Sequence, residues 1–512
     1  MSGAPASASA GPTATGLRSN RFLYPFVFVV GTGTLGAEIA AARLMAPFFG
    51  ASTIVWANTI GVVLVALSIG YWLGGRLADR HPHLRGMSLM VLAAAVLLAL
   101  VPLVARPLFE ISVEALDSIS AGAFVGSLFG VLFLLAVPVV LLGAAAPYAI
   151  RLALPDVEHS GSIAGRLYAI STAGSLLGTW LSALLLIPLI GTQRTFIAFA
   201  AVIALVAAVG LDRRFFVVPV LLFASLALPV GTVKATDNGE VIYETETETQ
   251  YVRVVEQSDG DRLLELNEGQ AVHSLYRPGT VLTDNVWDGY LVLPFAGRSE
   301  PPENMAILGN AAGTTARAYG QYFPTTRIDG VEIDGELHEI GREYFDMDNP
   351  NLELHTADAR PWLRQSDERY DVIMVDAYRQ PYIPFYLATK EFFELVSDRL
   401  TPDGVVIVNA GHPEGNDDLE TVLGATMAEV FPTVIRDPKE ETNTLLLGSH
   451  GPASGERLEA ALPDLPPDLR AIAAAEAAKI GPRLPGGEVY TDDKAPVEWL
   501  IDKSILGYAS GE

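Results

Sequence analysis

Several apolar runs in the second half of the chain end in a carboxylate or a glycine turn, which would place polar groups along one edge of a sheet. MAILG leads into the turn Gly309–Thr314, VEID carries Glu332, TADA carries Asp358, and YDVIMVDAY carries Asp376. These runs alternate with helix-like segments, which predicts a parallel, doubly wound sheet. Because ligands bind outside the carboxyl ends of such strands, we expect these residues to share one site.

The residue types at these strand ends suit a nucleoside. Glycines after a first strand let a ligand approach the backbone amides at a helix start, although the spacing of Gly309 and Gly313 is a weak signal alone. Glu332 could accept bonds from both hydroxyls of a ribose, and Asp358 is placed to meet an adenine amine. A single strand-end acid is more often a helix cap or a solvated group, but several on successive strands favour a site.

Residues 240–450 resemble the spermidine synthase family, also called polyamine aminopropyltransferases, and with the apolar front half the chain resembles the membrane-fused members. The stretches that carry this resemblance are LELNEGQ, ILGNAAGT, VEID, TADA, YDVIMVDAY and TDDKAPVEWL. The resemblance implies a methyltransferase-like Rossmann fold that binds decarboxylated S-adenosylmethionine as cosubstrate. It also implies transfer of an aminopropyl group from the sulfonium to an amine, with release of methylthioadenosine.

The resemblance also implies roles for single residues. Asp376 matches the general base, and an amine must lose a proton before it can attack a sulfonium. The cofactor-binding residues that it implies are Gln270, Gly309, Gly313, Glu332 and Asp358. The candidate substrate-binding residues are Tyr378, Arg379, Asp288 and Asp493.

The chain departs from the family where the polyamine is held. The family's Asp-x-x-Asp becomes Asp376 followed by Arg379, and its Tyr-His-Glu aligns with Val286, Trp287 and Asp288. An arginine repels an ammonium and suits an anionic acceptor, unless Arg379 pairs with Asp376 or points into solvent. The alternative function is therefore a membrane transferase on the same fold that modifies a lipid or a lipid-anchored or secreted protein, at the outer face.

Composition divides the 512-residue chain into two unlike parts. Up to residue 235 there are 8 acids and 13 bases, and from 236 onward there are 51 acids and 21 bases. This acidic part should repel nucleic acid. The whole chain has only 6 lysines among its 34 bases, and an acidic part poor in lysine is typical of a halophilic protein, or of an acidic protein from an Arg-rich genome. Cysteine is absent and the histidines show no ligand spacing, so we predict no metal.

The predicted domains follow from hydropathy. Residues 1–21 are predicted to be a disordered tail, 22–235 a membrane domain of about seven transmembrane helices, 236–303 a small β-rich subdomain, 304–450 the Rossmann-like domain, and 451–512 an acidic connector with a C-terminal segment. The apolar segments are 22–46, 54–76, 88–105, 124–149, 166–190, 194–211 and 215–231. Most have the roughly 20 residues that a crossing requires, whereas the last is short.

Loop charges set the expected orientation. Nine loop arginines on one side against three bases on the other place the N-terminus in the cytoplasm. Seven crossings of the cell membrane would put the acidic part outside, whereas six or eight would put it inside.

Glu38 and Arg43 lie within the first apolar segment, where a charge needs a partner or a purpose. They are candidates for a membrane-side site, although Arg43 can also snorkel to the interface. Soluble members of the family are oligomers, so oligomerisation of this chain is possible.

Overall fold

The computed structural model describes residues 14–49, 53–117, 122–154, 160–228, 239–267, 271–378, 383–412, 414–498 and 500, with side chains from Phe22 onward. The chain forms two compact units, one mainly before residue 234 and one mainly after it. The predicted architecture, an apolar helical half followed by a Rossmann-like domain with a small β-sheet, is confirmed.

The described residues of the first unit form helices joined by short connections, without a strand. Its helices are α1 (Ala14–Phe49), α2 (Thr53–Arg80), α3 (Leu84–Asp117), α4 (Gly122–Gly143), α5 (Ala145–Ala153), α6 (Ser160–Leu181), α7 (Ile187–Val209) and α8 (Val217–Ser225). Helix α1 begins inside the segment predicted to be disordered, because an existing helix extends backward through Ala14–Leu17 at little cost. Five helical spans are long and apolar enough to cross a membrane.

Two features of this unit are relevant to the predicted seven crossings, the long fifth span and the short helix α8. The span Ser160–Val209 covers 50 residues, roughly 75 Å of helix, but Gly191 breaks it with φ +78° and ψ 165°. Helix α8 has nine residues and is roughly 14 Å long, well short of a bilayer's hydrocarbon core of about 30 Å. The described residues of the seventh predicted segment therefore provide no helix of crossing length.

Small residues let the helices of this unit approach closely. A Cβ added at Gly174 would lie 2.2 Å from the Phe28 carbonyl oxygen, and one added at Gly178 would lie 1.9 Å from the Thr32 oxygen. These two glycines are four residues apart, so they lie on one face of α6 and bring its backbone against α1. Backbone contact of this kind replaces the hydrophobic driving force that is absent between helices in lipid.

The second unit begins with a four-stranded antiparallel sheet. Its strands are consecutive neighbours, β1 (Glu240–Glu246), β2 (Tyr251–Glu256), β3 (Arg262–Leu266) and β4 (Val272–Tyr276). They form the small β-sheet that the sequence predicts in this region. Helix α9 (Val286–Val292) follows, with all seven residues buried.

An eight-stranded mixed sheet forms the centre of the second unit, in the order β12-β10-β11-β9-β8-β5-β6-β7. Strands β5 to β9 are parallel. Strands β11, β10 and β12 extend the sheet beyond β9, each antiparallel to the neighbour before it. The strands are β5 (Asn304–Leu308), β6 (Arg327–Glu332), β7 (Leu352–Thr356), β8 (Tyr370–Val375), β9 (Leu400–Gly411), β10 (Thr433–Glu440), β11 (Asn443–Ser449) and β12 (Gly481–Pro482).

Helices cover both faces of this sheet. They are α10 (Thr314–Tyr322), α11 (Glu336–Tyr344), α12 (Ala359–Gln365), α13 (Lys390–Arg399), α14 (Asp418–Ala428), α15 (Gly455–Ala461) and α16 (Pro467–Ala477). Alternate residues of β8 divide between two cores: Ile373 and Val375 pack with Phe392 on one face, and Val372 and Met374 pack with the α9 side on the other. A strand buried on both faces reads as a continuous apolar run, which explains YDVIMV.

The segment after residue 450 is part of the folded unit, which corrects the prediction of a connector. Leu458, Leu469 and Ala473 are fully buried in the core that also contains Tyr290. Strand β12 pairs with β10 at the edge of the large sheet. The acidic, proline-rich composition suggested a linker because the few apolar residues of this segment are widely spaced along the chain.

Candidate active site

A cavity of about 560 Å³ lies at the carboxyl edge of the large sheet. Successive strands contribute lining residues in their spatial order across the sheet: Asp358 after β7, Glu332 from β6, Gly309 after β5, Asp376 after β8, Asn409 from β9 and Asn443 from β11. Neighbouring strands are about 4.8 Å apart, so this row extends roughly 24 Å. We call the Asp358–Glu332–Gly309 side the donor end and the Asp376–Asn409–Asn443 side the acceptor end.

The cavity is centred on the point where the strand order reverses. Strand β5 is hydrogen-bonded to β6 on one side and to β8 on the other. The Asp376 amide donates to the Leu308 carbonyl at 2.9 Å, and the Gly309 amide donates to the Val331 carbonyl at 2.9 Å. The helices diverge at such a switch point, which leaves a crevice for a ligand.

Gly309 is required by close approach as well as by conformation. Its φ is +92°, in the region that glycine favours. A Cβ there would lie 2.5 Å from the Asp376 carbonyl oxygen and 2.6 Å from the Ala377 Cα. The turn after β5 thus supports the chain segment that carries Asp376.

Gly313 has a structural role in the described residues, and its assignment as a cofactor-binding residue stays a prediction. It caps α10 with φ +84°, and a Cβ there would lie 2.2 Å from the Met347 sulfur. It is not among the cavity-lining residues that the structure describes. The glycine spacing could not distinguish packing against Met347 from contact with a ligand. Gln270 and Arg379 lie outside the described residues.

Glu332 is held in place by two backbone amides. Its carboxylate accepts bonds from Ala311 N at 3.0 Å and Asp334 N at 3.1 Å. Burial raises the pKa of Glu332 to about 7, although these bonds from Asp334 and Ala311 lower it in part. Asp334, the second acid of VEID, instead accepts bonds from Thr247, Thr249 and Gln250. It thereby ties the small sheet to the large one.

The raised pKa of Glu332 predicts a pH dependence of nucleoside binding. Below pH 7 the carboxyl is increasingly protonated, and a protonated carboxyl accepts hydrogen bonds from ribose hydroxyls less well than a carboxylate does. We expect the affinity for methylthioadenosine to fall as pH is lowered from 8 to 6, measured by titration calorimetry. Glu332→Gln should bind more weakly and lose this dependence. A wild-type affinity that stays constant across this range would contradict the assignment.

Asp358 lies at the donor end and caps α12. One oxygen accepts from Arg360 N at 3.2 Å, and the other accepts from the Tyr386 hydroxyl at 2.9 Å. Tyr386 also lines the cavity. An ionised carboxylate can accept about four bonds, so Asp358 keeps capacity for a ligand amine.

Asp376 is a half-buried carboxylate with few partners. Its Oδ1 accepts from Asn409 Nδ2 at 2.9 Å. Burial raises the pKa of Asp376, and the bond from Asn409 acts in the opposite direction. The buried hydroxyl of Tyr290 also lies beside this carboxyl and weakly lowers its pKa, but it makes no hydrogen bond of good geometry with any described residue. A carboxylate with a raised pKa is a better proton acceptor.

Tyr378 lines the cavity, while its hydroxyl forms hydrogen bonds with backbone groups of β9. The hydroxyl donates to the Asn409 carbonyl at 2.6 Å and accepts from Gly411 N at 2.8 Å. It therefore fastens the segment after β8 to the end of β9. Only the face of the Tyr378 ring therefore remains available for the predicted contact with substrate.

Two predicted substrate-binding acids lie away from the cavity lining. The Asp288 carboxylate accepts from Thr283 N, Thr283 Oγ1 and Asp284 N at 2.8–2.9 Å, so it fixes the loop before α9. Asp493 is exposed, and its neighbour Asp492 makes the structural contacts of the C-terminal segment. These positions were assigned by alignment and chemistry, which do not show where a side chain points.

The predicted membrane-side candidates belong to the helical unit. Glu38 is buried on α1 and Arg43 is half-buried on the same helix. Neither lines the cavity of the second unit. Their role at a membrane-facing site stays a prediction.

The sequence did not reveal several polar groups of the cavity. His273 on β4 lines it, and neither ring nitrogen has a hydrogen-bond partner among the described residues. Burial lowers the pKa of His273 to about 4, so the ring is neutral. Tyr290 comes from α9, and Glu440 comes from the hairpin between β10 and β11. No motif marked these residues, because only tertiary packing brings them to the site.

The charge of the cavity favours a cationic occupant. Its described lining includes four carboxylates, those of Glu332, Asp358, Asp376 and Glu440, and no lysine or arginine. Such a surface attracts a sulfonium or an ammonium and repels an anion.

One group of potential metal ligands lies elsewhere, formed by Asp329, Glu353 and His355. The Asp329 carboxylate already accepts from the Tyr370 hydroxyl at 2.9 Å and contacts His355 at 3.0 Å and Arg327 at 3.1 Å. None of the three lines the cavity. The absence of a metal remains a prediction.

Comparison with known proteins agrees with this geometry. Residues 291–438 match the Spermine/spermidine synthase domain. This segment holds β5 to β9, most of β10, and the strand-end acids Glu332, Asp358 and Asp376. The resemblance inferred from the motifs is therefore confirmed for this part of the chain.

Curated relatives match over more of the second unit. A probable polyamine aminopropyl transferase of Bifidobacterium longum is 32% identical over 291 residues, which are 52% of this chain and 64% of that protein. The polyamine aminopropyltransferase of Vibrio vulnificus is 31% identical over 152 residues, 28% of this chain and 50% of that protein. The chain thus spans between half and two thirds of the length of these relatives.

Solved structures with similarity include a probable spermidine synthase from Corynebacterium glutamicum, with 21% identity and a TM-score of 0.37 over 49% of this chain and 98% of that one. The spermidine synthase of Thermotoga maritima has 19% identity and a TM-score of 0.36, over 52% of this chain and 88% of that one.

Proposed function

We propose that this chain is an aminopropyltransferase that uses decarboxylated S-adenosylmethionine as donor and an amine as acceptor. The observation that carries the proposal is the row of Asp358, Glu332, Gly309 and Asp376 along one cavity, within the part of the chain that matches the spermine/spermidine synthase domain. The order of these residues fits a nucleoside at one end and a base at the other.

The donor would lie with its nucleoside at the donor end. Glu332 would accept bonds from the ribose hydroxyls and Asp358 one from the adenine amine. In this arrangement the sulfonium would lie between Gly309 and Asp376, where the acidic cavity would stabilise its positive charge.

Asp376 would act as the base. The acceptor enters as an ammonium, gives one proton to the Asp376 carboxylate, and its freed nitrogen attacks the methylene carbon next to the sulfonium. A carbon–nitrogen bond forms and a carbon–sulfur bond breaks. The sulfur keeps the electron pair and leaves as the neutral thioether methylthioadenosine. The bond from Asn409 orients the carboxylate toward this proton.

The acceptor end suits an amine of modest size. Glu440, Thr442 and Asn443 line it and offer one carboxylate and two neutral polar groups. In sequence, Arg379 stands where the family has a second acid. This substitution favours a second candidate, a transferase on the same fold whose acceptor carries an anionic group, such as a lipid headgroup.

Methylthioadenosine release tests the proposal. The purified full chain in detergent is incubated with decarboxylated S-adenosylmethionine and, separately, with putrescine, spermidine and an amine-bearing phospholipid. We expect methylthioadenosine to form with at least one diamine or polyamine. Release with the lipid alone would favour the second candidate, and release with none of them would overturn the transferase assignment.

We further propose that the helical unit anchors the enzyme in the cell membrane, with the catalytic unit in the cytoplasm. The break at Gly191 would divide the fifth apolar span into two crossings, which makes six, and the described residues of the short α8 would add none. With the N-terminus in the cytoplasm, six crossings return the chain to the cytoplasm, where a sulfonium nucleotide would be available. Seven crossings, as the hydropathy predicted, would separate the site from that donor.

A reporter fused after Glu512 tests this orientation. We expect alkaline phosphatase, which is active only outside the cytoplasm, to be inactive there, and green fluorescent protein to be fluorescent. The same reporters fused after Arg106, which lies on the opposite side in this topology, are the control. An active phosphatase at the C-terminus would argue for the outer-face alternative.

A further inference from the structure

Asp492 in the C-terminal segment holds a buried arginine. Its two carboxylate oxygens accept from Arg360 Nη1 and Nη2 at 2.7 Å each, a bidentate pair, and Oδ1 also accepts from the Thr389 hydroxyl at 2.8 Å. The Arg360 side chain is 10% exposed and that of Asp492 is 46% exposed. Such a pair adds geometric specificity to its energy.

Arg360 connects Asp492 to the donor end of the cavity through hydrogen bonds. Its Nη1 also donates to the Tyr386 carbonyl at 3.0 Å, and the Tyr386 hydroxyl donates to Asp358 at 2.9 Å. The backbone amide of Arg360 donates to the other oxygen of Asp358 at 3.2 Å. Asp492, Arg360, Tyr386 and Asp358 therefore form a continuous network, of which Tyr386 and Asp358 line the cavity.

We propose that Asp492 is a positioning residue for the donor's nucleoside, acting on Asp358 through Arg360 and Tyr386. This proposal rests on the proposed function, because it assumes that Asp358 meets the adenine. Without the carboxylate, the guanidinium of Arg360 loses its main partner and no longer fixes the Tyr386 segment. Asp358 then loses the hydroxyl that sets its orientation. Residues that hold a contacting group in its productive rotamer contribute to affinity without touching the ligand.

The C-terminal segment is well placed for this role. Lys390 N donates to the Tyr490 carbonyl at 2.8 Å, and Asp492 N donates to Glu391 at 2.9 Å. The segment is therefore attached to the start of α13 on both sides of Thr491. The bond from Arg360 lowers the pKa of Asp492, so the carboxylate stays charged at neutral pH. The adjacent Asp493 is exposed and serves as a matched control.

Nucleoside affinity tests the proposal without relying on turnover. Methylthioadenosine is titrated by calorimetry into the detergent-solubilised full chain of wild type, Asp492→Asn and Asp493→Asn, and the melting temperature of each is measured. We expect Asp492→Asn to bind about tenfold more weakly, the size of one hydrogen bond to a charged group. Asp493→Asn should bind as wild type does. An Asp492→Asn chain that melts earlier but keeps its affinity would show a purely structural pair and overturn the proposal.

A second variant tests the route through Tyr386. Tyr386→Phe should weaken binding to a similar extent, and the double variant with Asp492→Asn should be no weaker than either single one. Additive losses would show that the two residues act separately, which overturns the route. If Asp492→Asn does not fold, Arg360→Lys replaces it, because lysine keeps the charge but cannot span two partners as the guanidinium fork does. Unchanged affinity in that variant would also overturn the proposal.

The binding readout separates this proposal from the proposed function. A wild type that binds methylthioadenosine but transfers nothing would defeat the transferase assignment, while the affinities of the variants would still decide the role of Asp492. A wild type that binds no methylthioadenosine would overturn both.

Discussion

Replacing Asp376 by asparagine is expected to lower the rate of aminopropyl transfer by about two to four orders of magnitude, the usual contribution of a positioned base. The change keeps the size of the side chain, and the amide oxygen can still accept the bond from Asn409. The variant loses the ability to take a proton and the negative charge of the carboxylate. The rate of methylthioadenosine release at saturating donor and acceptor measures the effect.

The control for this variant is a conservative change elsewhere in the same unit. Asp398→Asn alters an exposed acid on α13 and should keep the wild-type rate. Methylthioadenosine affinity should be nearly unchanged in Asp376→Asn, which separates a chemical defect from misfolding. If this variant retained more than a tenth of the wild-type rate, Asp376 would not be the base.

Replacing Gly309 by alanine is expected to cost about 2–5 kcal/mol of stability and to abolish transfer in the chains that remain folded. The positive φ of +92° disfavours any residue with a Cβ. In addition, the new Cβ would lie 2.5 Å from the Asp376 carbonyl oxygen, and backbone cannot yield as a flexible side chain does. The segment that carries Asp376 must move, so the base is misplaced. Denaturant unfolding and the transfer rate measure the two effects.

Gly279→Ala separates the two causes. Gly279 has a similar φ of +81°, but a Cβ there meets no atom within 4 Å. Its substitution should cost only the conformational part, about 1–2 kcal/mol, and leave the transfer rate of the folded protein unchanged. Equal losses in the two variants would mean that the contact with the Asp376 segment does not matter.

The site residues that could be predicted from the sequence are those whose position is determined by the strands of the large sheet. Glu332 and Asp376 stand at the ends of buried apolar strands, and Asp358 follows the edge strand β7, so their position at one edge of the sheet follows from the fold class. The apolar runs themselves are visible because helices cover both faces of the sheet. The motif resemblance and the match over residues 291–438 agree with this reasoning.

The remaining features depend on contacts between segments that are distant in sequence. Asp492 and Asp493 are adjacent acids with the same chemistry, and only the fold shows which one meets Arg360. The glycine spacing did not reveal that Gly313 packs on Met347, because Met347 lies far along the chain. Hydropathy predicted an apolar segment at 215–231 but not the nine-residue length of helix α8.

The row of strand ends also has an evolutionary consequence. The donor end is built from β5, β6 and β7, whereas the acceptor end is built from β8, β9 and the hairpin of β10 and β11. Under the proposed function, substitutions in the second set would change which acceptor is used without disturbing the residues proposed to hold the nucleoside. Sequence differences among related chains would then be concentrated in the hairpin and in the turn after Asp376. The residues of the donor end would change more slowly. Grafting that hairpin and turn between related chains is the natural way to exchange acceptor preference.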